Sequence, residues 1–229
     1  MVAYKRWAVT GAVVALGCLA RWGVAQSNID PDHRLAWGEN IGWTNWRGAG
    51  EPDGSQAVSV GLSFLSGFLW AENVGWVNVG DGTPGADCAG APCYANLDGT
   101  DSGVNIDPTS GELSGYAWGE NIGWINFDTA GLGTDQALCD ACTHQFFGYA
   151  WGENVGWINL ADATHFVAVG PCAFGDHDCD ADVDLSDYAG FTTVMSGPGV
   201  VVECAAFDAD GDGDVDLRDA AALVSSFAP

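Results

Sequence analysis

Apolar and polar positions alternate along residues 27–170 in short runs punctuated by glycine, and one alternating phrase returns four times. The copies read LAWGENIGWTNW from Leu35, FLWAENVGWVNV from Phe68, YAWGENIGWINF from Tyr116 and YAWGENVGWINL from Tyr149. Their first tryptophans, Trp37, Trp70, Trp118 and Trp151, are spaced by 33, 48 and 33 residues, which predicts a repeat architecture with a Gly-rich insertion in its middle. In the third copy residues 113–118 are strand-like and Gly119-Glu120-Asn121 supplies turn chemistry. The following residues alternate, with Ile122, Trp124 and Asn126 on one face and Gly123, Ile125 and Phe127 on the other. Each copy is therefore expected to be a β-hairpin. Both faces carry apolar residues, so the strands are predicted to be covered on both sides, as in a sandwich, a barrel or a propeller-like closure. A third strand per unit is expected at 58–60, 104–106 and 167–169, with 136–144 a weaker match before the last hairpin. The series begins on a hairpin and ends on a third strand, so four units complete one another as a single repeat domain over 27–170. Beyond it the period changes: residues 185–195 and 217–227 place apolar side chains at helical spacing. The predicted fold is mainly β, a four-fold antiparallel hairpin domain followed by a small α-helical module over 171–229.

The start of the chain reads differently from the rest. Lys5 and Arg6 precede an apolar run over 8–20, and Gly23-Val24-Ala25 offers a small-residue cleavage site, which together predict an export signal over residues 1–26 and a secreted or cell-surface protein. An alternative is a lipoprotein-like box ending at Cys18, which would anchor the chain by acylation. The apolar run is short for a membrane span, and no later stretch approaches one, so no transmembrane segment is expected. Export makes disulfides the default for Cys88, Cys93, Cys139, Cys142, Cys172, Cys179 and Cys204. The close spacings suggest Cys88 with Cys93 and Cys139 with Cys142, with two of the other three paired and one thiol left over.

Charge narrows the choice of partners. The chain carries 31 acids against 6 basic residues, net -25; residues 27–170 hold 18 acids and 2 Arg, and residues 171–229 hold 13 acids and 1 Arg. Nucleic acid is excluded as a partner, because phosphate binding needs clustered Lys and Arg. With 48% apolar residues and 11 Trp the chain can bury a core, so the acidity sits on a folded object.

Two roles compete for the repeated residues. Exposed Trp37, Trp70, Trp118 and Trp151, flanked by Glu39, Glu72, Glu120 and Glu153, would stack on sugar rings and hydrogen-bond their hydroxyls. Alternatively the tryptophans pack the repeat, filling the space that its glycines open, which is the reading their recurrence in every copy favours. A glycosidase needs two carboxylates in different environments, and four equivalent Glu offer none, so catalysis is the weakest expectation and no catalytic residue is assigned. The phrase resembles Trp-Gly-Glu-Asn-rich repeats of exported bacterial proteins, a resemblance that implies no function.

The tail holds the densest chemistry. DHDCDADVDLSD from Asp176 and DADGDGDVDLRD from Asp208 start 32 residues apart. Ca2+ takes six to eight oxygens, and each stretch supplies them at EF-hand spacing. The first set is Asp176, Asp178, Asp180, the Asp182 carbonyl, Asp184 and Asp187; the second is Asp208, Asp210, Asp212, the Asp214 carbonyl, Asp216 and Asp219. A helix is expected after each loop, and Val183 and Val215 are expected to pair between the loops. This tail is similar to a type I dockerin module, a duplicated calcium loop plus helix. The resemblance implies two bound Ca2+ ions and calcium-dependent docking onto a cohesin-like scaffold or cell-surface partner, often within polysaccharide-degrading systems. It also points to positions 10 and 11 of each loop, Leu185-Ser186 and Leu217-Arg218, as partner contacts. Ala181 stands where the second loop has Gly213, so the first site is expected to be the weaker. The expected function is a secreted, non-catalytic docking protein with a structural β domain. A carbohydrate-binding component of a polysaccharide-degrading system is the alternative, and a small glycoside hydrolase the second alternative.

Overall fold

The computed structural model describes residues 27–50, 54–133, 135–170, 172–177, 179, 183–201, 204 and 207–227. The expected export signal over 1–26, with Cys18, lies outside the described residues.

Four hairpins form as the repeats predict: β1 (Ile29–Gly38) with β2 (Gly42–Asn45), β4 (Leu65–Ala71) with β5 (Gly75–Gly80), β9 (Leu113–Gly119) with β10 (Gly123–Asn126), and β13 (Tyr149–Gly152) with β14 (Gly156–Asn159). Short strands stand between them: β3 (Ser59–Val60), β6 (Ala86–Cys88), β7 (Ala91–Cys93), β8 (Val104–Ile106), β11 (Leu138–Cys139), β12 (Phe146–Phe147) and β15 (Val167–Val169). Each hairpin also pairs antiparallel with the next, through β2–β4, β5–β9 and β10–β13, and β14 returns to β1 with Trp37 opposite Asn159. The eight hairpin strands thus close into an antiparallel barrel, which leaves them no open edge. Of the closures open at the sequence level, this is the one adopted.

The expected third strands also form. β3 pairs with β4, β8 with β9, β11 with β12, and β15 with β1, so the last strand of the series completes the first hairpin. The Gly170 amide then donates to the Asn28 carbonyl at 2.9 Å, bringing the two ends of the barrel together.

The turns explain part of the repeat phrase. Ile41, Val74, Ile122 and Val155 donate their amides to the carbonyl three residues back at 3.1–3.3 Å, closing a β-turn in each copy. The glycine that follows lies in the left-handed region every time: φ is +73° at Gly42, +90° at Gly75, +79° at Gly123 and +74° at Gly156. An L side chain there would cost about 1–2 kcal/mol, which is why this position is glycine in all four copies.

The barrel interior is filled by small and medium side chains: Ala36, Thr44, Leu69, Ala71, Val77, Ala117, Ile125, Ala150 and Ile158 are all buried. Ile41, Ile122 and Val155 pack over the turn end, and Trp46, Phe127 and Phe146 form an aromatic layer in the same core. Trp46 is 1% exposed, and its Nε1 donates to Thr44 Oγ1 at 3.2 Å. The expectation that both strand faces are covered is corrected here. An eight-stranded barrel has room inside only for such side chains, so the eight paired tryptophans stand on its outer wall.

After β15 come two helices, α1 (Leu185–Val194) and α2 (Leu217–Ser226), where the helical spacing places them. With the loops around them they build a second small core of Phe191, Cys204, Phe207, Val215 and Leu223. Val183 packs against this core, which contains Val215, but the two are not bridged as strand partners among the described residues. Val215 instead accepts at its carbonyl from the Ser196 and Gly197 amides, each at 3.0 Å. No helix among the described residues is long and apolar enough to cross a membrane.

Disulfides join Cys88 to Cys93, Cys142 to Cys204 and Cys172 to Cys179. The first is as expected; the pairing of Cys139 with Cys142 is not. Cys139 packs against the barrel core while Cys142 packs against the tail core, so the two point into different clusters, and Cys139 is the free thiol among the described residues. The Cys142–Cys204 bond clamps the tail onto the barrel.

Candidate functional site

Register decides where the repeated tryptophans meet. Trp37 lies opposite Trp43, Trp70 opposite Trp76, Trp118 opposite Trp124 and Trp151 opposite Trp157, so each hairpin carries one indole pair on the outer wall. The ring centroids are 4.9, 4.7, 4.6 and 6.4 Å apart, and the contacts are edge-on or tilted. Such pairs add about 0.5–1.5 kcal/mol to a hairpin beyond the area they cover, so the structural role expected of these residues is real but local. Trp37, Trp70, Trp76, Trp118 and Trp124 remain 40–47% exposed, and Trp43, Trp151 and Trp157 are half-buried.

Neighbouring hairpins meet along seams, and two of these open into clefts of about 680 and 490 Å3. Equivalent residues line both. The first has Trp70 and Trp76 from one hairpin facing Trp118, Glu120 and Asn121 from the next, over Gly75. The second has Trp118 and Trp124 facing Trp151, Glu153 and Asn154, over Gly123. Trp118 belongs to both.

The other polar residues of the phrase are occupied structurally. Side-chain amides of the turn asparagines reach back across the seam: Asn40 donates to the Val155 carbonyl at 3.0 Å, Asn121 to Val74 at 2.9 Å and Asn154 to Ile122 at 3.0 Å. Asn45, Asn78, Asn126 and Asn159, at the end of each second strand, accept the amide two residues on at 2.8–3.2 Å and so start the outgoing loop. What remains uncommitted is the exposed tryptophans and three of the four glutamates. Glu39, Glu72, Glu120 and Glu153 are all exposed. Glu72 accepts the Trp43 amide at 3.2 Å, whereas the side chains of the other three make no hydrogen bond or ion pair among the described residues. The second tryptophans of the middle two copies, Trp76 and Trp124, belong to these seams as fully as the first. Their only signal in the sequence is their mirror position about the turn.

In the tail, Asp208, Asp210 and Asp212 bring a carboxylate oxygen each within 4.8 Å of one another, as do Asp214, Asp216 and Asp219. Asp208 Oδ1 accepts the Gly211 amide at 2.8 Å and its Oδ2 the Gly213 amide at 2.9 Å, which wraps the loop around the first acid. Gly213 has φ +88°, the conformation expected at position 6. Arg218 lies 3.7 Å from Asp210 and 3.3 Å from Asp212. Desolvation, then the charges of Asp212 and Asp219, raises the Asp210 carboxyl above its ordinary range. Asp214 is buried; its Oδ2 accepts the Gly199 amide and its Oδ1 has no partner among the described residues.

The last acid closes both loops in the same way. Asp187 accepts the His177 and Asp184 amides at 2.6 and 2.7 Å, and Asp219 accepts the Ala209 and Asp216 amides at 2.8 and 2.7 Å. Asp176 is buried and Asp184 exposed, while Asp178, Asp180, Ala181, Asp182 and the side chain of Ser186 lie outside the described residues. Leu185 and Leu217, the expected partner contacts, are 75% and 74% exposed at equivalent positions. The second loop thus offers carboxylates in two groups of three, a hard-oxygen donor chemistry that suits a divalent cation.

Between barrel and tail, His144 and His177 lie with ring centroids 5.8 Å apart, beside the Cys172–Cys179 bond. Burial, then His144, pushes the His177 imidazole down to about 4, and burial lowers His144. Burial pushes the Cys139 thiol up to about 12. No protein family model matches the chain, and comparison with curated proteins and with solved structures finds no match.

Proposed function

We propose that the protein is a non-catalytic, exported binding protein whose barrel seams hold a glycan and whose acidic tail attaches it to a partner. One observation carries the first half: five indoles are at least 40% exposed, ranged in register around a closed barrel, and the two open seams are edged by Glu120 and Glu153, whose side chains make no hydrogen bond or ion pair among the described residues. Flat aromatic faces beside hydrogen-bonding side chains suit the C–H faces and hydroxyls of pyranose rings. The four glutamates occupy equivalent exposed turns, which favours binding over hydrolysis, because cleavage needs two carboxylates in unlike settings.

The test uses Trp118, which lines both clefts. In the intact, disulfide-bonded chain, Trp118→Ala is expected to keep its far-UV CD spectrum and to lose retention on polysaccharide. Trp46→Ala, in the core, is expected to destabilise the barrel strongly. Unchanged retention in Trp118→Ala, Trp76→Ala and Trp124→Ala variants that remain folded would sink the reading.

For the tail, the matched closure of the two loops by Asp187 and Asp219 supports the dockerin-like reading: two Ca2+ ions, held by the acids named above, and docking through the Leu185 and Leu217 faces to a cohesin-like or cell-surface partner. Calcium would supply the positive charge that lets these acids pack together. Added to chelator-treated full-length protein, Ca2+ is expected to raise the melting midpoint of the helical signal, and Asp210→Asn with Asp212→Asn to abolish that response at the second loop. A midpoint indifferent to calcium would overturn the assignment.

A further inference from the structure

The glycan reading leaves one feature unused: the charge of the wall that carries the seams. Residues 27–170 hold 18 acids, no lysine and two arginines. Arg47 is turned away from this task, since its guanidinium donates to the Ser27 and Ile29 carbonyls. Each open seam therefore combines indole faces, which attract cations through the ring quadrupole, with a glutamate free of internal partners. The loop between β7 and β8 adds a further acid, because its Asp98 lines a neighbouring cleft with Trp124 of the third hairpin.

Resting on the glycan reading, we infer that the seams select a glycan bearing free amino groups, a deacetylated amino-sugar chain, over neutral or N-acetylated chains. The ammonium of such a sugar sits beside Glu120 or Glu153 while its ring lies against Trp118. Size argues for a sugar rather than a lysine side chain: clefts of about 680 and 490 Å3 suit one or two pyranose rings and leave an alkylammonium head loose. Repetition of the seam around the barrel lets one long chain, or several, engage more than one site, which raises avidity.

The experiment measures binding of full-length, disulfide-intact protein to three oligosaccharides of equal length, a glucosamine oligomer, its N-acetylated form and a neutral glucose oligomer, with oligolysine of matched charge as a fourth probe. The glucosamine oligomer is expected to bind about tenfold tighter than the other sugars at low salt, with the advantage shrinking as salt screens the carboxylates. Glu120→Gln with Glu153→Gln is expected to reduce the gap between the amino and N-acetylated oligomers to less than about threefold, and Trp118→Ala to weaken the glucosamine oligomer far more than oligolysine. Equal binding of all three sugars, with a ratio indifferent to the Glu variants, would overturn the inference and leave the glycan reading standing. Binding of none of them would remove both. Oligolysine binding as tightly as the glucosamine oligomer, with Trp118→Ala without effect on either, would reduce the surface to unspecific polyanion attraction and also overturn the inference.

Discussion

Each residue of the repeated phrase has one separable task, and substitutions should sort accordingly. Gly123→Ala places a side chain at φ +79° and is expected to cost about 1–2 kcal/mol in chemical denaturation. Asn121→Ala removes a bond between hairpins and should cost about 1 kcal/mol. Trp124→Ala loses an exposed edge-on partner, about 0.5–1.5 kcal/mol, whereas Trp46→Ala empties a core position and should cost about 3–5 kcal/mol. That contrast among tryptophans is the clearest single check of the barrel, since the sequence favours packing for all of them. At the junction, burial lowers the His144 pKa from the ordinary 6.5, with Asp140 opposing. The unfolded chain therefore takes up a proton that the native state resists. The stabilisation from neutral His144 is present above pH 6.5 and is lost as pH falls below it. His144→Gln should reduce the slope of that part of the melting-midpoint profile, with His177, lowered to about 4 by burial, supplying the rest.

At the level of elements, hairpins, third strands and helices were all legible, because each has a local signature: period two about a Gly-Glu-Asn turn, or apolar spacing after an acidic loop. The disulfide partners were legible only where geometry is local, as for Cys88 and Cys93. Cys139 and Cys142 are close in sequence yet face different cores, and nothing in a linear spacing reveals this. The Cys142–Cys204 bond closes a separation of 62 residues, a constraint worth about 4 kcal/mol in the chain-entropy account. Cys142→Ser with Cys204→Ser should therefore expose the α1–α2 segment to limited proteolysis while β1–β15 remains protected. Equal protease resistance in the two proteins would show that packing alone holds the tail.

For the whole molecule, residues 27–229 carry 31 acids and 3 arginines on a compact object. Self-repulsion should make its melting midpoint rise with sodium chloride even in chelator, an effect distinct from a saturable calcium response because it follows general screening. The fourfold repetition, the closure of the last unit on the first and the acidic loops can all be read from residue order, since they depend on spacing along one chain. Which way the tryptophans point cannot, because alternation defines two faces without saying which is inside. Only closure of eight strands settles it. The barrel's narrow interior accepts Ala, Val and Ile and turns the indoles outward, and by pairing neighbouring hairpins it places a glutamate of one beside the indoles of another. The same apolar pattern that predicted a buried tryptophan repeat thus becomes, once the sheet closes, an exposed one.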